Sequence, residues 1–227
     1  MTAEARQMLC DPVLEQTGAV HGFGERGVQA PGFTVFPRQV HGVRVVHGES
    51  ARGAEAAPAD AIVSTTPGLA VGIVTADCVP ILVASEDGSR AAAIHAGWRG
   101  LAAGVIEAGI EAIELPVGQL RAAIGPAARG CCYEVDDPVA DALAVRYSPL
   151  LDDLLVPGRP GRYQLDLPGL AVRVLRRIGL DADRIGVSQA LCTICTPGLR
   201  FESFRRDGGQ AGRLQHFIQP TMFGGQG

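Results

Sequence analysis

No stretch of this sequence approaches the roughly 20 consecutive apolar residues of a membrane-crossing helix, so no membrane partner is expected. The opening residues, MTAEARQMLCDPVLEQ, lack the charged-then-apolar order and the cleavage signature of a secretory signal. There is no internal repeat, no coiled-coil heptad and no low-complexity tract. Excess positive charge is lacking too: charged residues make up 19% of the chain, the formal net charge is −4 and the pI is near 5.7. That balance argues against non-specific binding to nucleic acid or acidic membranes, while local anion sites built from arginine stay open. Cysteines number six: Cys10, Cys78, Cys131, Cys132, Cys192 and Cys195. Without a secretory signal, in a chain of 227 residues, reduced thiols in a cytoplasmic protein are expected rather than a disulfide framework.

What is present is an ordinary globular composition, 47% hydrophobic and long enough for a real core. Residues 1–227 read as a single domain, with a flexible start at 1–16 and a flexible tail at 220–227. Strands are predicted at GAVHGF (18–23), on both sides of the Pro-Gly turn in 61–76, and in PILVA, RAAAIH, LRAAIGP and RIGVSQA. ARGAEAAPAD (51–60) has the composition of a surface loop. Leu101, Val105, Ile106, Ile110 and Ile113 share one face of a helix over 100–113. In that helix Gly104 and Gly109 each cost about 1 kcal/mol relative to Ala, which close packing must offset. Further helices are predicted over 137–155 and 166–180, the second with Asp166 as N-cap and Pro168 in its first turn. Hairpins mixed with helical crossovers predict an α/β sandwich with a mixed β-sheet.

Asp87-Gly88 in SEDGS is a hairpin signal. With the turn centred near Asp87, facing residues have numbers that sum to about 174 or 175. His95 then lies opposite Val79 or Pro80, one step from Cys78, and such cross-strand positions lie within roughly 5–8 Å at Cβ. The pair fits two chemistries: thiolate and imidazole on Zn²⁺, or Cys78 as a nucleophile with His95 as its base. A plain structural reading stands beside them, with Cys78 a small buried apolar residue and His95 a hydrogen-bonded strand end. A metal needs a third protein ligand. His41, among the polar and turn-forming residues of RQVHG, is the first choice; His47 follows, His21 is a further option, and His216 reads as partly buried in a strand. CTIC (192–195) cannot close a four-ligand site without a second pair, and Cys131-Cys132 is not spaced as one, so no second metal site is expected.

The ordered segments RQVHG, ADAIVSTTPGLAVGIVTADCVPILV, AAIHAGWRGLAAGVI, AAIGPAARGCCYEV and FESFRRDGGQAGRLQHFI resemble the laccase-domain family over about residues 18–219. Its members are also called YfiH-type, polyphenol oxidase or peptidoglycan editing factor proteins, and include purine nucleoside phosphorylases. The resemblance implies an α/β sandwich and a zinc site of two histidines and one cysteine. Matched motif by motif, those ligands fall on His41, Cys78 and His95. Three protein ligands leave a fourth position open, the pattern of a catalytic zinc. The resemblance further implies purine nucleosides and phosphate as partners: adenosine, inosine, guanosine or methylthioadenosine would be split to free base and ribose 1-phosphate. Deamination of adenosine is implied as a second activity.

Asp77, beside Cys78, is placed to orient a zinc-bound water or carry its proton; its plain reading is a turn carboxylate accepting backbone N–H groups. For phosphate, Arg38, Arg99, Arg205 and Arg206 lie in family-like segments, and the guanidinium fork suits that anion. RRDGGQAGR has the composition of an anion-binding loop. The chain departs from the family pattern in a short stretch before QVHG that lacks a Gly-Gly-x-Ser, with Arg26 standing for that region's arginine. Ala211-Gly212-Arg213 takes the place of a Thr-Gly-Arg.

The family's oxidase name suggests coupled copper, which uses many histidines, usually in His-x-His pairs. Five histidines with no such pair argue against that chemistry and leave copper as an adventitious metal. Two further alternatives are a metal-free Cys78–His95 hydrolase and a zinc-stabilised peptidoglycan-editing or binding protein with little turnover.

Overall fold

The structure is a computed structural model that describes residues 7–51 and 56–221. In chain order its elements are α1 (Pro12–Glu15), β1 (Val20–Gly22), β2 (Val45–His47), α2 (Gly48–Ala51), β3 (Ala61–Ser64), β4 (Val71–Thr75), β5 (Val79–Ser85) and β6 (Ala91–Ala96). There follow α3 (Trp98–Ala103), α4 (Val105–Glu111), β7 (Leu120–Ile124), β8 (Glu134–Asp136), α5 (Asp137–Tyr147), β9 (Leu155–Pro157) and β10 (Arg162–Leu165). The last elements are α6 (Leu167–Ile178), β11 (Ile185–Gly186), α7 (Phe204–Asp207) and β12 (Leu214–Gln219).

The central layer is a six-stranded sheet in the order β11-β7-β5-β6-β3-β2. It is mixed: β5, β6, β7 and β3 pair antiparallel, while β2 joins β3, and β11 joins β7, in parallel. A three-stranded sheet, β1-β12-β4, packs on one face, and α4 and α6 cover the other. Both faces are therefore dry, which is why β5 and β6 read as unbroken apolar runs instead of alternating ones. Along β5, Ile81 and Val83 join the helix-side core with Ile106 and Val174. Leu82 and Ala84 join the opposite core with Ile73 and Ile218. A third small sheet, β8-β10-β9, leads into α6, whose N-cap Asp166 accepts from the Gly169 amide.

The hairpin register is the one expected: Val79 faces Ala96 and Pro80 faces His95, numbers that sum to 175. Elsewhere the chain departs from the sequence reading. The helix over 100–113 is two helices, α3 and α4, broken at Gly104, whose φ of 98° is left-handed and against which the Arg146 guanidinium packs. Gly109 does buy close packing: a Cβ there would stand 2.5 Å from the Ile94 Cδ1. The helix over 137–155 stops at Tyr147, because Pro149 turns the chain into a 3₁₀ segment, and Leu155 already belongs to β9. RIGVSQA keeps only Ile185–Gly186 in a strand. Of the 51–60 surface loop, 52–55 lie outside the described residues, and its end is no surface: Ala59 and Asp60 are buried. Of the lead-in 1–16, expected to be flexible, the described part packs on the fold: Leu9 bridges Phe23 and Leu14 is buried. Residues 1–6 and 222–227 lie outside the described residues.

Candidate metal centre

Three segments meet at the end of the β5–β6 hairpin. The turn between β4 and β5 carries Cys78, β6 carries His95, and the loop before β2 carries His41. Their ligand atoms all lie within 4.8 Å of one another, with the Cys78 Sγ 4.0 Å from the His41 Nε2. The His41 and His95 rings meet edge to face with centroids 4.8 Å apart. Sulfur and nitrogen bound to one tetrahedral zinc stand roughly 3.5 Å apart, so small side-chain movements bring this set to coordination distance. Gly97 makes room for it: a Cβ there would lie 3.0 Å from the Cys78 Sγ and 3.1 Å from the His41 Cδ2.

One carboxylate organises the centre. Asp60, buried just before β3, accepts the His95 Nδ1 at 2.8 Å, which leaves the His95 Nε2 to face a metal. The same carboxylate accepts the backbone amides of Val40, His41 and Gly42 at 3.2, 2.8 and 2.6 Å. His41 holds a left-handed φ of 60°, and the curled loop wraps its amides around Asp60 as a nest. Gln39 fixes the loop from the other side, exchanging two hydrogen bonds with the Val74 backbone on β4. Electrostatics follow from this packing. Burial raises the Asp60 carboxyl, but His95 and the Gly42 and His41 amides outweigh it and hold it below its ordinary value. Burial likewise raises the Cys78 thiol, yet His41 and His95 draw it down to about 6. Burial lowers His95, and Asp60 and Cys78 lift it to about 9. The thiol is thus drawn toward the thiolate form in which sulfur binds a metal.

The centre opens on a cavity of about 460 Å³, lined by His41, Cys78 and His95 together with Thr75, Phe204 and Arg213. Such a volume lies in the roughly 300–1,000 Å³ range of small-molecule sites.

The alternative histidines lie elsewhere. His47 is exposed on β2. His21 is buried, with its Nε2 accepting the Asp11 amide and its Nδ1 near the Ala19 carbonyl. His216 is buried on β12; its Nδ1 accepts the Gly24 amide, so its Nε2 donates to the Thr75 hydroxyl at 2.8 Å. Burial, then the positive charge of His95, pushes it down to about 3, and it stays neutral.

Asp77, with a left-handed φ of 87°, follows its plain reading as a turn carboxylate, with hydroxyl donors as well as a backbone amide. Its carboxylate accepts the Thr193 hydroxyl at 2.5 Å, the Ser203 hydroxyl at 3.1 Å and the Arg205 amide at 2.6 Å. Those bonds fit an anchor for residues 193–205, not a proton shuttle. None of the four arginines assigned to phosphate lines the cavity. Arg38 pairs through its backbone with the Ala57–Ala59 segment, and Arg99 lies over the Trp98 ring. Arg205 stacks on Tyr133 and donates to the Glu134 carbonyl. Arg206 is spent on Asp207 and on the carbonyls of Thr193, Ile194 and Phe201. The cavity's arginine is Arg213, whose sequence signals were its place in the Ala-Gly-Arg triplet and at the end of the RRDGGQAGR loop. Asp60 and Phe204 carried no signal of their own. Against expectation, Cys131 and Cys132 do meet Cys192 and Cys195, in a second cluster.

Known proteins share this arrangement of the chain. A purine nucleoside phosphorylase of Pseudomonas aeruginosa is 38% identical over 180 residues, covering 79% of this chain and 71% of that protein. One from Xylella fastidiosa is 41% identical over 189 residues, covering 80% and 72%. Among solved structures, YlmD from Geobacillus stearothermophilus superposes with a TM-score of 0.82 at 29% identity, over 97% of this chain and 98% of that one. The YfiH protein of Bacillus licheniformis gives a TM-score of 0.82 at 27% identity, over 96% and 98%. Residues 13–221 match the family described as multi-copper polyphenol oxidoreductase laccase, and the chain belongs to that family.

Proposed function

We propose that this protein is a zinc-dependent purine nucleoside phosphorylase. The observation that carries the reading is the single cavity that holds His41, Cys78 and His95 together with Phe204 and Arg213. A sulfur and two imidazole nitrogens are a donor set suited to zinc, and three protein ligands leave a position for substrate or water. Bound there, zinc would supply a Lewis acid for a substrate oxygen or water.

The chain's own residues supply the rest. In phosphorolysis a phosphate oxygen bonds to C1′ of the ribose while the C1′–N9 bond breaks; its electron pair leaves with the base, which takes up a proton. Arg213 brings to the cavity the positive charge that phosphate requires. The chain contains no lysine, so arginine is its only permanent side-chain cation. Phe204, 56% exposed at the cavity, offers a face on which a purine can stack. The same open centre would serve water attack on adenosine, giving inosine and ammonia, so deamination is the second product to look for.

Two features weigh against the other readings. Multi-copper chemistry needs further histidines, but His21 and His216 have both ring nitrogens engaged in the core. A metal-free hydrolase would use Cys78, His95 and Asp60 in line, but would leave His41 idle 4.0 Å from the thiol. Chromatography of zinc-loaded protein with adenosine, inosine, guanosine and methylthioadenosine, with and without phosphate, tests the reading. Phosphate-dependent free base that vanishes in Cys78→Ser is expected. No free base and no inosine from any nucleoside would leave a zinc-stabilised binding protein, with peptidoglycan editing as its role, as the better account.

A further inference from the structure

The CC and CTIC segments, remote in sequence, converge. Cys131, Cys132, Cys192 and Cys195 place their sulfurs all within 4.8 Å of one another. Four thiolates on a tetrahedral zinc at about 2.3 Å stand about 3.8 Å apart along every edge. The Cys131 and Cys195 sulfurs, 3.6 Å apart, already match such an edge.

The backbone beneath is built to hold the two segments in register. Ala127 donates to the Leu191 carbonyl and accepts the Thr193 amide, both at 3.0 Å, which fixes Cys192 beside the 127–132 turn. The Cys132 amide closes that turn on the Arg129 carbonyl at 2.8 Å, and the Thr196 amide closes the CTIC turn on the Cys192 carbonyl at 3.2 Å. Arg129 itself donates to the Ala190 carbonyl at 2.8 Å and pairs with Asp166 at 3.2 Å, tying the turn to the chain just before CTIC. Cys192 is buried and Cys131 and Cys195 are exposed, so an ion can enter from solvent.

The surrounding segment also needs a tie. Between β11 and α7 the chain runs from 187 to 203 with no strand ladder, and Val187 and Leu199 are 51% and 55% exposed. So long an irregular stretch inside a compact fold calls for something to hold it.

We propose that Cys131, Cys132, Cys192 and Cys195 form a second, structural zinc site. With four protein ligands it has no open position, so it staples 187–203 onto the 127–132 turn and does no chemistry. Thr193, next to Cys192, hydrogen-bonds Asp77, next to Cys78. The staple therefore holds a segment that buttresses the first centre. The proposal does not depend on the phosphorylase reading.

Elemental analysis of chelator-washed protein tests it. Two zinc ions per chain are expected for the wild type, one for Cys192→Ser and one for Cys78→Ser. The cobalt-substituted Cys78→Ser protein should show the intense sulfur-to-metal absorption of a tetrathiolate. Should Cys192→Ser fail to fold, Cys131→Ser alters only an exposed ligand. Its second zinc should bind more than about 100-fold more weakly in competition with a chromogenic chelator, since outer-shell losses alone cost 10–100-fold. One zinc in the wild type that Cys78→Ser abolishes would overturn the proposal. So would an unchanged second affinity in Cys131→Ser, or a Cys131–Cys195 disulfide in protein purified under reducing conditions.

Discussion

The two sulfur-bearing centres of this molecule use the same element in opposite ways. At the first, one thiol and two imidazoles surround a point that borders a cavity, and a buried carboxylate holds the His95 ring and the His41 backbone. At the second, four thiols enclose a point between two loops, which backbone hydrogen bonds and the Arg129 side chain tie together. Ligand number separates them: three leave a coordination position for substrate, four leave none. What supports each centre differs to match. The first stands on β6, an interior strand of the central sheet, and on the turn and loop beside it, whereas the second lies in chain with little regular structure of its own.

That contrast can be broken in both directions. The largest effect on turnover is expected for Cys78→Ser: phosphorolysis below about one-hundredth of wild type, because a direct ligand should matter more than the 10–100-fold of an outer partner. Its thermal unfolding should change little, and a collapse of the fold would make the first centre structural as well. Cys192→Ser should do the reverse in kind, costing about 4 kcal/mol or more of stability in denaturant titrations. Equal stability with and without that thiol would remove the distinction between the centres.

Asp60→Asn sharpens the comparison at the first centre. Without the charge behind His95 and the His41 loop, zinc affinity and activity should fall about 10–100-fold, read by chelator competition and initial rates. Gly97→Ala tests crowding: a methyl 3.0 Å from the Cys78 Sγ should weaken zinc binding severalfold, with about 1–3 kcal/mol of overpacking cost. The smallest effect concerns a histidine outside both centres. His216 is held at about 3 in the fold but titrates near 6.5 when unfolded. Its neutral burial therefore favours the fold fully above about pH 6.5, and that contribution declines as pH falls toward 3. Between pH 6 and 5 the wild type should lose about 1 kcal/mol more than His216→Gln, and parallel pH curves would refute the assignment.

How far the sequence could be read depended on distance along the chain. The Asp87-Gly88 turn fixed the register that brings Cys78 to His95, because a tight hairpin leaves little freedom between its strands. His41 was favoured over His47 by the polar, turn-forming residues of RQVHG, and the family likeness selected it. Asp60 was hidden in a string of Ala, Gly and Pro that reads as loop. The partners of Asp77 lie 116, 126 and 128 residues away, and the four-thiol cluster joins Cys131 to Cys195, 64 residues on, so spacing alone revealed neither. Gly104 broke a helix whose apolar stripe continues on both sides, which periodicity does not register. The phosphate arginines were chosen by neighbourhood, and side-chain partners decided otherwise for Arg205 and Arg206.

The order β1-β12-β4 sets a schedule for assembly. Strand β12 is the spacer between two strands that precede it by well over a hundred residues, and its His216 clasps Thr75 at the cavity wall. While a ribosome has delivered only the residues before 214, β4 has an unpaired edge and the wall beside Cys78 has no backing. Such long-range pairing forms slowly. The cavity wall beside His41, Cys78 and His95 is then completed late in the life of the nascent chain, after the arrival of β12.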